Sequence, residues 1–557
     1  MVFYLRPGFA TFFQYGYNGE GTDPGGCRAE VSGKNPARAA PENGETGQET
    51  GSGGRRAEGF RIESGACRAG KREDWTGNRF RRLPGGRVPD RIRRVPRRKT
   101  GRQMRNRLMD GRVLRGALLA LALLLVSGIS AQGESIAPCH QVKNTHTDTK
   151  NANKSVVRLW QVETAREDVT EEINSLARAW AEEKGPELPP QGNATGRNSR
   201  LDVEIRYSRT GHSWLSFLVQ ARTQYHRELT DQVIESRTYN METGERIRMT
   251  DIFDGEDATW AFLGDRVREQ LTAYWPETEP DQEKLEAVCG RAALEEADFT
   301  LHGMSLVLHY PADLLYGDKK TLMSVTFFYP EIRDMMTEEA YRETDNLSYY
   351  KTCALTFDDG PSGTNTPKVL NSLMETGATA TFFVIGNRIE GFEYLVQREH
   401  DGGHAVASHN WHHGNVLKSS VSALRAMPKK VNDAMIKAIG IPVRYDRVPG
   451  GRYPRMISAG VGWAYIQWSL DTYDWRGRST SQVMNKVQKA IQDGDIILCH
   501  DIKDNTPEST RQMVRYLEEQ GYMLLTVDEL FAKDGVTLEP DTVYFRCVNG
   551  ETGIRED

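Results

Sequence analysis

From residue 350 to residue 532 the chain repeats one rhythm, a short apolar run followed by a longer amphipathic stretch. The apolar runs fall at 353–357, 380–385, 405–407, 445–448, 464–470, 495–499 and 522–527, and helical periodicity is clearest at 421–439 and 481–492. Runs this short and this apolar read as strands buried on both faces. Strands that alternate with helices pair in parallel, because each helix carries the chain back across the sheet. The expected architecture is α/β, a distorted (β/α) barrel, and barrels of this kind gather their chemistry at the C-terminal ends of the strands.

The reactive residue types sit at those ends. Asp358-Asp359-Gly360-Pro361 follows the first run, Ser408-His409-Asn410-Trp411-His412-His413 the third, and Arg447-Val448-Pro449-Gly450-Gly451 closes the fourth. Asp471-Thr472-Tyr473-Asp474-Trp475 follows the fifth and His500-Asp501 the sixth. An Asp-Gly-Pro stretch alone marks a turn or a helix cap; five such groups at one end of one barrel mark a site. His409 and His413 are four apart, so on a helical turn both imidazoles project from one face and can grip one ion, with His412 as the alternative at three apart. A second pair, His400 and His404, brackets Asp401-Gly402-Gly403 and enters a strand instead of leaving one, which reads as structural. Two histidines and a carboxylate make a metal site with open positions, and the paired Asp358 and Asp359 supply the third ligand and a base. Spacing alone does not say which aspartate does which.

The rest of the chain divides by pattern. Residues 201–345 read as a small α+β accessory domain, with strand alternation at Leu201, Val203, Ile205 and Tyr207, a hairpin at 240–245 and a helix at 257–274. Residues 134–200 read as a linker carrying one helix near 169–184, and 534–557 as a C-terminal tail. The apolar run 116–131 follows Arg105, Arg107, Arg112 and Arg115, the arrangement of a signal peptide or a single N-terminal membrane anchor. Because such a segment belongs near a start, residues 1–103 are expected to be a mis-called or disordered extension, with 104–133 as the export segment.

Charge narrows the function. Through Gly133 there are 25 Lys/Arg against 12 Asp/Glu, which leaves 47 against 65 beyond it. An acidic body argues against nucleic acid as a partner, since that grip needs basic side chains to displace counterions. Of seven cysteines, five lie beyond residue 133 with no Cys-x-x-Cys pair, so neither a disulfide framework nor a cysteine-based zinc site is implied.

The motifs Thr356-Phe357-Asp358-Asp359-Gly360-Pro361, His409-x-x-x-His413, Arg447-x-Pro449, Asp474-Trp475 and Leu498-x-His500 resemble, in order and spacing, the five motifs of the NodB-homology polysaccharide deacetylases, carbohydrate esterase family 4. The resemblance implies an extracellular or cell-surface enzyme that hydrolyses N-acetyl groups from a polysaccharide, peptidoglycan or a chitin-like glycan. It implies one divalent ion, Zn2+ ahead of Co2+, Mn2+ or Ni2+. It further implies Asp358 as general base, Asp359, His409 and His413 as metal ligands, and His500 as general acid. Arg447 would orient Asp358, Asp474 would orient His500, and Trp475 and Leu498 would line an acetyl pocket. The stretch 239–253, with Tyr239-Asn240-Met241-Glu242-Thr243-Gly244-Glu245 and Asp251-Ile252-Phe253, resembles accessory domains of secreted Gram-positive peptidoglycan deacetylases. Three positions depart from the pattern: Asn410 stands where the family usually has Ser or Thr, Gly414 where Pro is common, and Gly450 where an aromatic is frequent. None of these removes a ligand or a charge, and the Gly450 N–H can still serve an oxyanion hole. The rival functions are an O-acetyl esterase on acetylated xylan or a similar glycan, and a non-catalytic wall-binding protein. The latter is disfavoured because ligands, base and acid are all present.

Overall fold

The computed structural model describes residues 141–189, 199–210 and 212–553. The expected extension 1–103 and export segment 104–133 lie outside the described residues. Among the described residues no helix is long and apolar enough to cross a membrane.

The segment expected as a linker is instead part of a sheet. Its helix is present as α1 (Glu167–Lys184), but strands β1 (Lys143–Lys150) and β2 (Val156–Glu163) precede it. β2 pairs in parallel with β3 (Ser199–Arg209), so α1 is the crossover of a βαβ unit. β1 escaped sequence reading because it is an edge strand, polar along both faces with only Asn144 buried, and so shows no apolar alternation. β4 (Trp214–Tyr225), β5 (Glu228–Asn240) and β6 (Arg246–Ile247) complete a six-stranded sheet in chain order. The expected hairpin closes with Tyr239 opposite Arg246, and its turn needs Gly244 at φ +83°. Leu201, Val203 and Ile205 point into a core with Trp160, Val169 and Ile173. Helix α2 (Asp257–Thr272) and an antiparallel sheet of β7 (Phe299–Leu301), β8 (Ser305–Pro311) and β9 (Leu322–Phe328) follow.

This region shares its core with the barrel. One apolar cluster runs from Trp260 and Leu263 through Leu306 and Val325 to Ile496 and Leu525. Buried charges reinforce the junction: Arg222 reaches Asp401 at 3.2 Å, and Glu204 takes Arg398 at 2.7 Å. Buried pairs of this kind tie two surfaces together because removing one partner strands the other charge.

The barrel begins at β10 (Lys351–Asp358) and continues through α3 (Thr366–Thr376), β11 (Thr381–Val384), α4 (Glu393–Asp401), β12 (Ala405–Ser408), α5 (Met427–Ile439) and β13 (Tyr445–Asp446). The run expected as one strand at 464–470 is two, β14 (Ala464–Ile466) and β15 (Leu470–Asp471). Then come α6 (Thr480–Ala490), β16 (Asp495–His500), α7 (Thr506–Glu519), β17 (Tyr522–Leu525) and β18 (Val543–Tyr544). All pairs are parallel in the order β15-β16-β10-β11-β12-β13-β14-β18, with β17 beside the first half of β10. The expected tail thus supplies a strand, and Arg546 just beyond it bridges back to Asp495 on β16. The result is a distorted (β/α) barrel, drawn together at its seam by one antiparallel bridge.

Strand alternation aims the site. On β10, Cys353, Leu355 and Phe357 pack against the helices, whereas Ala354, Thr356 and Asp358 face the interior. β16 pairs with β10 so that Leu498 lies opposite Thr356 and His500 opposite Asp358.

Candidate active site

Asp358 and His500 therefore end adjacent strands side by side, at the carboxyl end of the barrel. Asp358 is buried, and its Oδ1 accepts from Arg447 Nη1 at 2.8 Å. Arg447 comes from the loop after β13 and is fully buried. It also donates to the Thr356 hydroxyl and to the carbonyls of Ile466 and Gln467, and it stacks over the Phe383 ring at 3.9 Å. With every face engaged, this guanidinium holds one carboxylate oxygen and leaves Oδ2 free of it, 3.9 Å from His409 Nε2.

The neighbouring aspartate faces the histidines. Asp359 Oδ1 is 3.5 Å from Nε2 of His409 and 3.5 Å from Nε2 of His413. It is buried and, among the described residues, has no hydrogen-bond partner, an arrangement that costs free energy unless a cation completes it. Three donors at about 2.1 Å around a tetrahedral ion stand about 3.4 Å apart, so these residues fit a divalent ion. His409 Nδ1 donates to the Arg447 carbonyl at 2.6 Å, which turns the lone pair of Nε2 toward Asp359. Burial lowers the His409 pKa despite the nearby Asp358 and Asp359, which favours the neutral ring a metal requires. Among the described residues it is His413, not His412, whose ring nitrogen lies with Asp359 and His409 in a group that could hold an ion.

His500 forms the other half. Its Nδ1 donates to Asp474 Oδ1 at 2.8 Å, and its backbone N–H donates to Asp474 Oδ2 at 2.7 Å. Burial alone would lower the His500 pKa, but the Asp474 hydrogen bond and charge, with Asp358 and Asp359 farther off, hold it above the ordinary value. Leu498 is buried two residues before His500 on the same inward face. Trp475 is 45% exposed, with Nε1 directed at Asp471 Oδ2 3.5 Å away. Gly450 lies in a short turn after β13 at φ +66°.

The departures have local reasons. Asn410 has φ +63°, a conformation that Asn adopts more readily than Ser or Thr. At Gly414 a Cβ would stand 2.9 Å from the ring of His412, an exposed side chain that would have to turn aside to admit it. Asp359 and Tyr473 also have positive φ, at +77° and +56°, so three strand-end loops hold a non-glycine residue in a sparsely populated conformation. His400 and His404 are structural, as expected: His400 Nδ1 meets Asp401 at 3.2 Å, and His404 Nδ1 accepts from the Ala380 N–H at 3.2 Å. Burial pushes the His404 pKa down to about 3.

Two supporting carboxyls carried no role in the sequence reading. Asp446 accepts from the Ser408 hydroxyl at 2.6 Å and the Asn410 N–H at 3.1 Å, bracing the turn that carries His409. Asp501 accepts from the Thr366 hydroxyl and presses so close to Gly360 that a Cβ there would stand 2.5 Å from its Oδ2. Burial pushes each of these carboxyls up to about 7. Asp501 was visible as the residue after His500, and Asp446 as the residue before Arg447.

A family model described as polysaccharide deacetylase matches residues 348–462. The chain is 28% identical over 319 residues to the peptidoglycan-N-acetylglucosamine deacetylase PgdA of Listeria monocytogenes, an alignment covering 57% of this chain and 68% of that protein. Since only 207 residues run from Lys351 to the end, this likeness reaches into the preceding domain. A peptidoglycan-N-acetylglucosamine deacetylase of Bacillus cereus is 33% identical over 188 residues, covering 32% of this chain and 88% of that protein. The solved structure of the peptidoglycan deacetylase PdaC from Bacillus subtilis aligns at 30% identity and a TM-score of 0.32, covering 32% of this chain and 90% of that one.

Proposed function

The chain belongs to the polysaccharide deacetylase family, and from that premise we propose that it is a metal-dependent hydrolase that removes N-acetyl groups from peptidoglycan at the cell surface. The observation that carries this reading is the unpartnered Asp359 oxygen facing His409 and His413 beside Asp358 and His500. The substrate is supported by the two relatives named for peptidoglycan N-acetylglucosamine.

Asp359, His409 and His413 would hold a divalent ion, Zn2+ in the first instance, which would supply Lewis acidity toward the acetyl carbonyl and toward water. Asp358 takes the proton of the attacking water through Oδ2, the oxygen that Arg447 leaves free. The Gly450 N–H donates to the oxygen on which negative charge develops. His500 gives its Nε2 proton to the sugar nitrogen as the carbon–nitrogen bond breaks, since its Nδ1 proton is committed to Asp474. Acetate and a free amine leave, and no covalent enzyme intermediate is needed.

Acetate release from peptidoglycan, chitin oligomers and acetylated xylan tests the assignment. N-acetylated glycans are expected to be turned over well ahead of the xylan ester; a clear preference for the ester would make the protein an O-acetyl esterase. The state of His500 sets a second expectation. Its raised pKa carries the protonated form to higher pH than an ordinary imidazole holds it, and activity falls as pH rises through that pKa. Asp474→Asn removes the largest raising influence and leaves the lowering effect of burial against only the weaker pull of Asp358 and Asp359, so the alkaline limb of kcat/KM should move down by about one pH unit. An unmoved limb would show that His500 is not the acid.

A further inference from the structure

In the domain that precedes the barrel, most arginines end on carboxylates: Arg158 on Asp148, Arg206 on Glu204, Arg222 on Asp401, Arg268 on Glu286. That is what an acidic body, 65 Asp/Glu against 47 Lys/Arg beyond Gly133, makes easy. The loops at the reactive end of the barrel differ. Arg388 follows β11, Arg452 follows β13 and Arg476 follows β15, and all three are exposed. Among the described residues none of the three has a carboxylate within ion-pairing distance.

Each lies beside a site residue, and Arg388 and Arg476 are held there by something other than a carboxylate. Arg388 donates to the Asp359 carbonyl. Nη1 of Arg452 lies 3.6 Å from where a side chain on Gly450 would begin, so a guanidinium borders the place where an aromatic is absent. Arg476 stacks over Trp475 at 4.5 Å and Tyr473 at 4.7 Å, and Arg478 adds a further cation 4.9 Å from the Tyr473 ring. Three loops at one end of the barrel thus present planar, always-charged donors suited to paired contacts with carboxylates. Like charges on neighbouring loops raise the local potential toward an anionic ligand.

Resting on the deacetylase reading above, we infer that Arg388, Arg452 and Arg476 make this site selective for an anionic glycan, one bearing carboxylates on the sugar or on a peptide attached to it. Neutral chitin-like chains lack the partner these arginines offer.

The test compares acetate release from three N-acetylated tetrasaccharides: a peptide-free fragment alternating N-acetylglucosamine and N-acetylmuramic acid, the same fragment with its stem peptides, and neutral chitotetraose. The wild type should favour the charged fragments in kcat/KM, and the preference should shrink as NaCl rises from about 0.05 to 0.5 M. The double variant Arg452→Gln/Arg476→Gln should lose about tenfold of that preference, mainly through KM, as two exposed ion pairs allow. A loss already complete on the peptide-free fragment assigns the contact to the sugar carboxylate, and a loss confined to the peptide-bearing fragment assigns it to the peptide. Equal kcat/KM on all three, insensitive to salt and to the substitutions, overturns the inference and leaves the deacetylase reading standing. No acetate from any of them overturns both.

Discussion

Asp358→Asn is expected to fold, to retain one divalent ion per chain and to lose about three orders of magnitude in kcat, with KM little changed. The side chain keeps its shape, and its amide oxygen can still accept from Arg447 Nη1, the contact made at 2.8 Å by the native carboxylate. What goes is the basic oxygen that Arg447 leaves free, 3.9 Å from His409 Nε2. Asp359 cannot replace it, because its own buried oxygen is directed at the two histidines. Stopped assays for acetate, run beside metal analysis of the same sample, separate a lost base from a lost ion. Turnover near wild type would remove Asp358 from the mechanism.

His409→Ala should fail for a different reason, with metal affinity falling by more than about a hundredfold and acetate release following it down. His409 is buried and is oriented from behind by the Arg447 carbonyl, so Ala leaves that carbonyl without its donor and Asp359 facing one imidazole instead of two. His404 provides the contrast. It belongs to the other pair of histidines four apart, yet His404→Ala should retain one ion per chain, because its ring holds the Ala380 N–H and joins no carboxylate–histidine cluster. Metal content of the two variants after dialysis distinguishes them.

The barrel and its site were legible because their signals are local. Cys353, Leu355 and Phe357 must be apolar to pack beneath helices, and the strand ends that follow carry the residues the chemistry needs. Choosing between Asp358 and Asp359 was not local, since it depends on Arg447, 89 residues away, reaching one and not the other. β1 was hidden by its polar edge position, and β18 by being two residues long in a segment whose partner strand lies far back in sequence. Asp446 and Asp501 look like any surface acids until burial is known; both are fully buried here, and both brace turns that hold reactive residues. The rim arginines had no signal in spacing at all, because their meaning lies in the carboxylates they do not meet.

The most direct test of the whole account is a titration of Co2+ into chelator-stripped protein while acetate release from an N-acetylated tetrasaccharide is followed. The account predicts no activity without metal, a rise that breaks sharply at one equivalent per chain, and the same break in the cobalt absorption bands of a site with two imidazoles and a carboxylate. Full activity in the stripped protein, or a break that persists in His409→Ala, would contradict it.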